Sequence, residues 1–119
     1  MILVDTSVWI DHFRNGDAPL VDALNRGRVL THPFIVGELA LGNFRRRKTV
    51  LDALSNLPQA VTASDDEMLS FIEQRALHGT GIGYVDAHLL ASLTLTPELS
   101  LMTRDKRLSA LAERLSAAQ

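Results

Sequence analysis

Ile2-Leu3-Val4-Asp5-Thr6-Ser7 is the stretch that decides the fold. Three strand-type apolar residues end on a carboxylate, and two hydroxyl residues that cap helices well follow at once. This reads as a buried strand, Ile2–Asp5, passing directly into a helix over Ser7–Phe13 that stops near Asn15-Gly16. Three further runs share the strand pattern: Arg28–Thr31, Gln59–Ala63 and Leu99–Thr103, with Gly27, Pro58 and Pro97 just ahead of them. Helical patterns fill the intervals at Pro19–Arg26, Pro33–Phe44 (continuing or kinking into Arg46–Leu57), Ser64–His78, Tyr84–Leu95 and Asp105–Ala117. Ser64-Asp65-Asp66-Glu67 is a capping box. Strands apolar on both faces and separated by helices predict a parallel sheet covered on both sides. The expected fold is therefore α/β, a three-layer α/β/α sandwich around a central parallel sheet of about four strands. In such sheets ligands bind beyond the carboxyl ends of the strands.

Composition narrows the function. The 119 residues carry no linker-like tract and predict one domain over 1–119. There is no cysteine, which excludes a disulfide scaffold, a thiolate metal site and a thiol nucleophile. Twelve basic and fourteen acidic residues leave a net charge of −2, so bulk charge does not mark a nucleic-acid binder. No apolar run approaches the roughly 18–20 residues of a membrane span. The opening Met1–Val4 is too short for a signal peptide. A cytoplasmic protein without membrane attachment is expected.

Four acids stand in costly places. Asp5 closes the first strand, and Asp105 follows the last strand by two residues. Glu38 shares a helical face with Phe34, Ile35, Leu41 and Gly42; Asp86 shares one with Ile82, Gly83, Leu89 and Leu90. Both faces are apolar and are expected to be buried. Each acid alone has an ordinary explanation: helix capping for Asp5 and Asp105, a buried ion pair for Glu38, a favourable helix dipole for Asp86. Together they can converge at one sheet edge. Converging carboxylates raise one another's pKa unless a cation joins them. A site of carboxylates and water suits Mg²⁺ or Mn²⁺, and open metal positions suit phosphoryl transfer.

The segments Asp5-Thr6-Ser7-Val8-Trp9-Ile10, Glu38-Leu39-Ala40-Leu41-Gly42, Asp86-Ala87-His88-Leu89-Leu90-Ala91 and Thr103-Arg104-Asp105 resemble the four signatures of PIN-domain ribonucleases. More narrowly, the chain resembles the VapC-type toxins of bacterial toxin–antitoxin pairs, in order and along essentially its whole length. The resemblance implies a PIN-like fold and a Mg²⁺- or Mn²⁺-dependent endoribonuclease. It implies Asp5, Glu38 and Asp86 as the core catalytic and metal-binding acids, with Asp105 at the more variable fourth position. Thr6 or Ser7 matches the small polar position beside the first acid. It also implies an RNA substrate, a homodimer, and inhibition by a VapB-type antitoxin whose C-terminal segment covers the site. The fourth signature departs from the pattern, since Asp105-Lys106-Arg107 leads to Leu108 where an aromatic residue is common.

Ser7 and Thr103 are expected to position a metal ligand or water, although helix capping or strand-end hydrogen bonding explains them equally. Arg104, Lys106 and Arg107 flank Asp105 and are the expected RNA-phosphate contacts. Arg45-Arg46-Arg47-Lys48 reads instead as a solvated helix face. Setting four negative charges aside turns the net charge from −2 to +2, which is compatible with RNA. The four histidines, His12, His32, His78 and His88, lack ligand spacing and read as structural or surface groups. Two phosphotransfer folds fit less well. Haloacid-dehalogenase-like enzymes need an acid where Ser7 stands, and receiver domains need an Asp ending the third run, which Gln59–Ala63 lacks. A non-catalytic module whose acids hold a basic partner segment is the other alternative.

Overall fold

The computed structural model describes residues 1–117; Ala118 and Gln119, the end of the expected domain, lie outside the described residues. β1 (Ile2–Val4) runs into α1 (Thr6–Asn15), followed by α2 (Ala18–Asn25), β2 (Val29–Leu30), α3 (Pro33–Ala40) and α4 (Arg47–Ser55). Then come α5 (Asp65–Gln74), α6 (Tyr84–Leu95), β3 (Ser100–Met102) and α7 (Lys106–Ala117). The sheet is parallel, in the order β2-β1-β3, with Leu3 opposite Leu30 on one side and Leu101 on the other. Helices flank it, as the α/β reading requires.

The central strand is buried because both its edges are paired and both its faces are covered. Leu3 and Val4 are fully buried, and Val8, Leu20, Ile35, Leu89, Leu90 and Leu108 bring five different helices into the same core. A smaller cluster of Met68, Ala87 and Ala91 seals α5 against α6.

The sheet has three strands where about four were expected. The Gln59–Ala63 run contributes one parallel bridge, Gln59 to Thr31. Its next backbone groups are taken by side chains of the α6 region: Val61 N–H donates to Thr96 Oγ1, and Ser92 Oγ donates to the Val61 carbonyl. That backbone is satisfied, but not by a strand.

The long pattern from Pro33 to Leu57 breaks into two helices. Arg46 takes a left-handed conformation, and the Arg47 guanidinium turns back to the carbonyls of Ala40 and Gly42 at the end of α3. Part of the basic run thus caps a helix. α5 stops four residues short of His78, because Ala76 is left-handed and Leu77 N–H closes onto the Ile72 carbonyl.

Candidate active site

Asp5 sits at the carboxyl end of the central strand and is only 7% exposed. β1 fixes it from behind, and its own N–H donates to the Met102 carbonyl of β3. Oδ1 accepts from Thr6 N–H at 2.8 Å. Oδ2 accepts from Ser7 Oγ at 2.9 Å and from Thr103 Oγ1 at 2.7 Å. A nearly buried carboxylate is tolerable here because three donors serve it.

The same hydroxyls carry the network outward. Ser7 Oγ accepts from Arg104 N–H at 3.1 Å, and Thr103 Oγ1 accepts from Asp105 N–H at 3.0 Å. Thr6 Oγ1 donates to Glu38 Oε1 at 2.8 Å. Thr6, Ser7 and Thr103 thereby connect Asp5 to Glu38 on α3 and to the Asp105 backbone. Thr6, one of the two candidates for the small polar position, ties the first acid's turn to the second acid. Its position next to Asp5 was the available signal.

Asp86 lies in the first turn of α6, half-buried. Its carboxyl is pushed up to about 6, first by burial and then by Asp5, Asp105 and Glu38. Three acids from distant segments therefore bear on Asp86 in addition to burial. Asp105 caps α7: its Oδ1 accepts from Arg107 N–H at 2.9 Å and Leu108 N–H at 3.1 Å. Its capping role and its place in the acid field coexist.

Glu38 departs from expectation. It is exposed, as are its helical neighbours Phe34 at 38% and Leu41 at 90%. α3 buries the other face, Ile35 and Leu39, against the core. The apolar surround was real, but it is a surface, and only Ile35 of the named neighbours is buried.

The basic residues divide. Lys106 is exposed at the start of α7. Arg107 lies over Gly81, where a Cβ would collide with its guanidinium. Arg104 turns to Asp11, at 3.2 Å, and to Asp17. His32 caps α3 through Nδ1 and is buried, and His88 packs edge-on against His32, Phe34 and Tyr84. Both histidines serve the packing behind the site.

The donor set suits a hard divalent cation: carboxylates and hydroxyls, with no thiolate and no histidine nitrogen presented among the acids. Asp86 is raised first by burial and then by the other three acids, and a bound cation would offset the second of these. Among the described residues no three His, Asp or Glu side chains are already gathered as a group that could hold a metal ion. The acids share a field without sharing a coordination shell, as mutually repelling carboxylates do.

The PIN domain family matches residues 2–114. Ribonuclease VapC32 from Mycobacterium tuberculosis, in strains CDC 1551 / Oshkosh and ATCC 25618 / H37Rv, is 50% identical over 110 residues, covering 92% of this chain and 89% of the relative. No solved structure matches the chain significantly. No helix among the described residues is long and apolar enough to cross a membrane. With a helix-flanked parallel sheet and a match along nearly its full length, the chain belongs to the PIN-domain family and, within it, to the VapC-type ribonucleases.

Proposed function

We propose that this protein is the toxin of a type II toxin–antitoxin pair: a cytoplasmic, Mg²⁺- or Mn²⁺-dependent endoribonuclease cutting tRNA, rRNA or mRNA. The observation that supports this reading is the hydroxyl network around Asp5: Ser7 and Thr103 donate to its carboxylate, Thr6 donates to Glu38, and Thr103 accepts from the Asp105 N–H. Asp5, Glu38 and Asp86 would hold the cation, and Asp105 would hold a second one or orient water. When bound, the cation supplies a water of lowered pKa and offsets charge at the scissile phosphate.

Asp5 is held by its three donors in one rotamer, so its carboxylate is aimed before any ligand arrives. Ser7 and Thr103 keep it there, and Thr6 does the same for Glu38. In the proposed hydrolysis a water oxygen bonds to phosphorus in line, and the bond from phosphorus to the 3′ oxygen breaks. That oxygen gains a proton, leaving 5′-phosphate and 3′-hydroxyl ends. Lys106 and Arg107 begin α7 next to Asp105 and would meet the RNA backbone.

Two partners complete the proposal. A VapB-type antitoxin would cover the acids with a basic segment. The groove of about 410 Å³ beside Glu38, lined in part by Ile10, Phe13, Leu39 and Phe44, supplies adjoining apolar surface. A second copy of the chain would form the homodimer, for which the exposed Phe34 and Leu41 offer contact area.

The test is cleavage of end-labelled total tRNA and rRNA by the purified protein with Mg²⁺, with Mn²⁺ and with chelator. Discrete cuts are expected with either metal. Asp5→Asn keeps the size of the side chain and should lower the rate by about 100-fold or more, the scale of losing one essential charge-stabilising group. Cutting that survives chelator and Asp5→Asn would overturn the assignment.

A further inference from the structure

We propose that Arg104 is a positioning residue: clamped between Asp11 of α1 and Asp17 at the head of α2, it fixes the Thr103–Asp105 segment against Asp5. This rests on the nuclease reading above and adds a device that holds its fourth acid.

The connection from β3 to α7 is three residues long, Thr103 to Asp105. Two of them are tied to Asp5 by one hydroxyl: Thr103 Oγ1 donates to Asp5 and accepts from Asp105 N–H at 3.0 Å. The residue between them is tied at both ends. Its N–H donates to Ser7 Oγ at 3.1 Å. Its Nε donates to Asp11 Oδ2 at 3.2 Å, and its Nη2 pairs with Asp17 Oδ2. Asp17 is itself immobilised, with a side chain only 6% exposed and Oδ1 accepting from Leu20 N–H at 3.0 Å as the cap of α2. The clamp therefore runs from one nearly buried, cap-bound carboxylate through a planar guanidinium to the backbone between two site residues. A fork-shaped donor set suits that geometry, and a lysine supplies only a point charge.

Charge argues the same way. Arg104 faces two carboxylates, so the trio carries a net negative charge. To meet an RNA phosphate, Arg104 would have to leave the nearly buried Asp17 carboxylate without its cation. Phosphate attraction is thus left to the exposed Lys106 and to Arg107.

The experiment uses the full chain and compares Arg104→Ala, Arg104→Lys, Asp17→Asn and Asp11→Asn. Asp17→Asn keeps the cap but loses the charge. Mn²⁺ binding is measured with the metal alone by paramagnetic resonance, and cleavage is resolved into kcat and KM across a salt series. Positioning predicts that Arg104→Ala and Asp17→Asn each weaken Mn²⁺ binding and lower kcat by about 10-fold, the scale of losing support behind a metal ligand. KM and its salt dependence should stay put, the double variant should be no worse than either single one, and Arg104→Lys should recover part of the loss. A raised KM with a flattened salt slope in Arg104→Ala, while Asp17→Asn binds RNA normally or more tightly, would make Arg104 a phosphate contact and overturn the clamp. Unchanged Mn²⁺ affinity and kcat in folded variants would also overturn it. Should Arg104→Ala fail to fold, the milder Asp11→Asn decides by the same readouts. A wild type that binds Mn²⁺ but cuts no RNA would instead defeat the nuclease reading, and the Mn²⁺ comparison would still judge the clamp.

Discussion

At Asp86 and His32, burial acts on groups of opposite charge type, and the fold feels pH in opposite senses. Asp86 is raised to about 6, by burial first and neighbouring acids second. Its charged form is disfavoured in the fold, so stability falls as pH rises from about 4 through about 6. Half-burial and screening limit the effect to about 1–2 kcal/mol. His32 is lowered from 6.5 to about 4, by burial and then by His88. It contributes stability that is full above pH 6.5 and lost as pH falls toward 4, about 3 kcal/mol in scale. His88, lowered by burial, acts in the same direction. With chelator present, wild-type stability should therefore rise by only about 1–2 kcal/mol between pH 4 and pH 6.5. Asp86→Asn should steepen that rise, and His32→Asn, which preserves the cap on α3, should flatten it. Denaturant melts at a series of pH values check this; parallel curves for all three proteins would contradict it. The Asp5 and Asp105 positions were legible in the sequence because each depends only on where an adjacent strand ends. The exposure of Glu38 was not, since the neighbours it shares a face with say that the face is apolar, not which way α3 turns. Arg104 was illegible as a clamp because its partners lie 93 and 87 positions away.

Among the elements, the helix ends show where local chemistry is strong and where tertiary structure overrides it. The capping box at Ser64 forms as written, with reciprocal bonds between Ser64 and Glu67. α6 spans Tyr84–Leu95 as its pattern predicts. α5 ends early because Ile72–Leu77 closes a Schellman-type turn: Ala76 N–H donates to the Glu73 carbonyl, and Leu77 N–H donates to Ile72. Leu77 is then buried as the hydrophobic partner of that turn. The left-handed residue is Ala76, with φ 53°, where glycine is the usual occupant. No sequence signal announces a turn at an alanine. Ala76 is exposed, so replacing it changes little but backbone strain. Ala76→Gly should stabilise the protein by about 0.5–1 kcal/mol, with no change in cleavage rate. A thermal midpoint that falls would mean that the turn is held by something other than these two bonds. The Gln59–Ala63 run failed as a strand for the reverse reason: its composition is right, but Ser92 and Thr96 claim its backbone.

Across the whole molecule, the fold gives up some stability at Asp86, whose charge is opposed by burial and then by Asp5, Asp105 and Glu38. On the proposed reading, the remaining chain, at +2 once the four acids are set aside, would attract RNA only if those acids are neutralised. The proposed divalent cation would do both jobs, so metal should stabilise the folded state as well as switch on cleavage. Binding to the folded chain alone adds about 2.7 kcal/mol when metal is 100-fold above its dissociation constant. For a chain of 119 residues that corresponds to a rise of about 10 °C in thermal midpoint. The shift should be largest above pH 6, where Asp86 is ionised and repulsion is greatest. It should shrink in Asp86→Asn, which lacks one of the proposed ligands and starts from a more stable metal-free state. Raising NaCl to the same ionic strength should not reproduce it, since monovalent screening does not bridge carboxylates. Differential scanning fluorimetry with Mg²⁺, Mn²⁺ and chelator measures all of this without a substrate. Equal midpoints with saturating metal and with chelator would leave the four acids as a capping and solubility feature, and the nuclease reading would lose its cation.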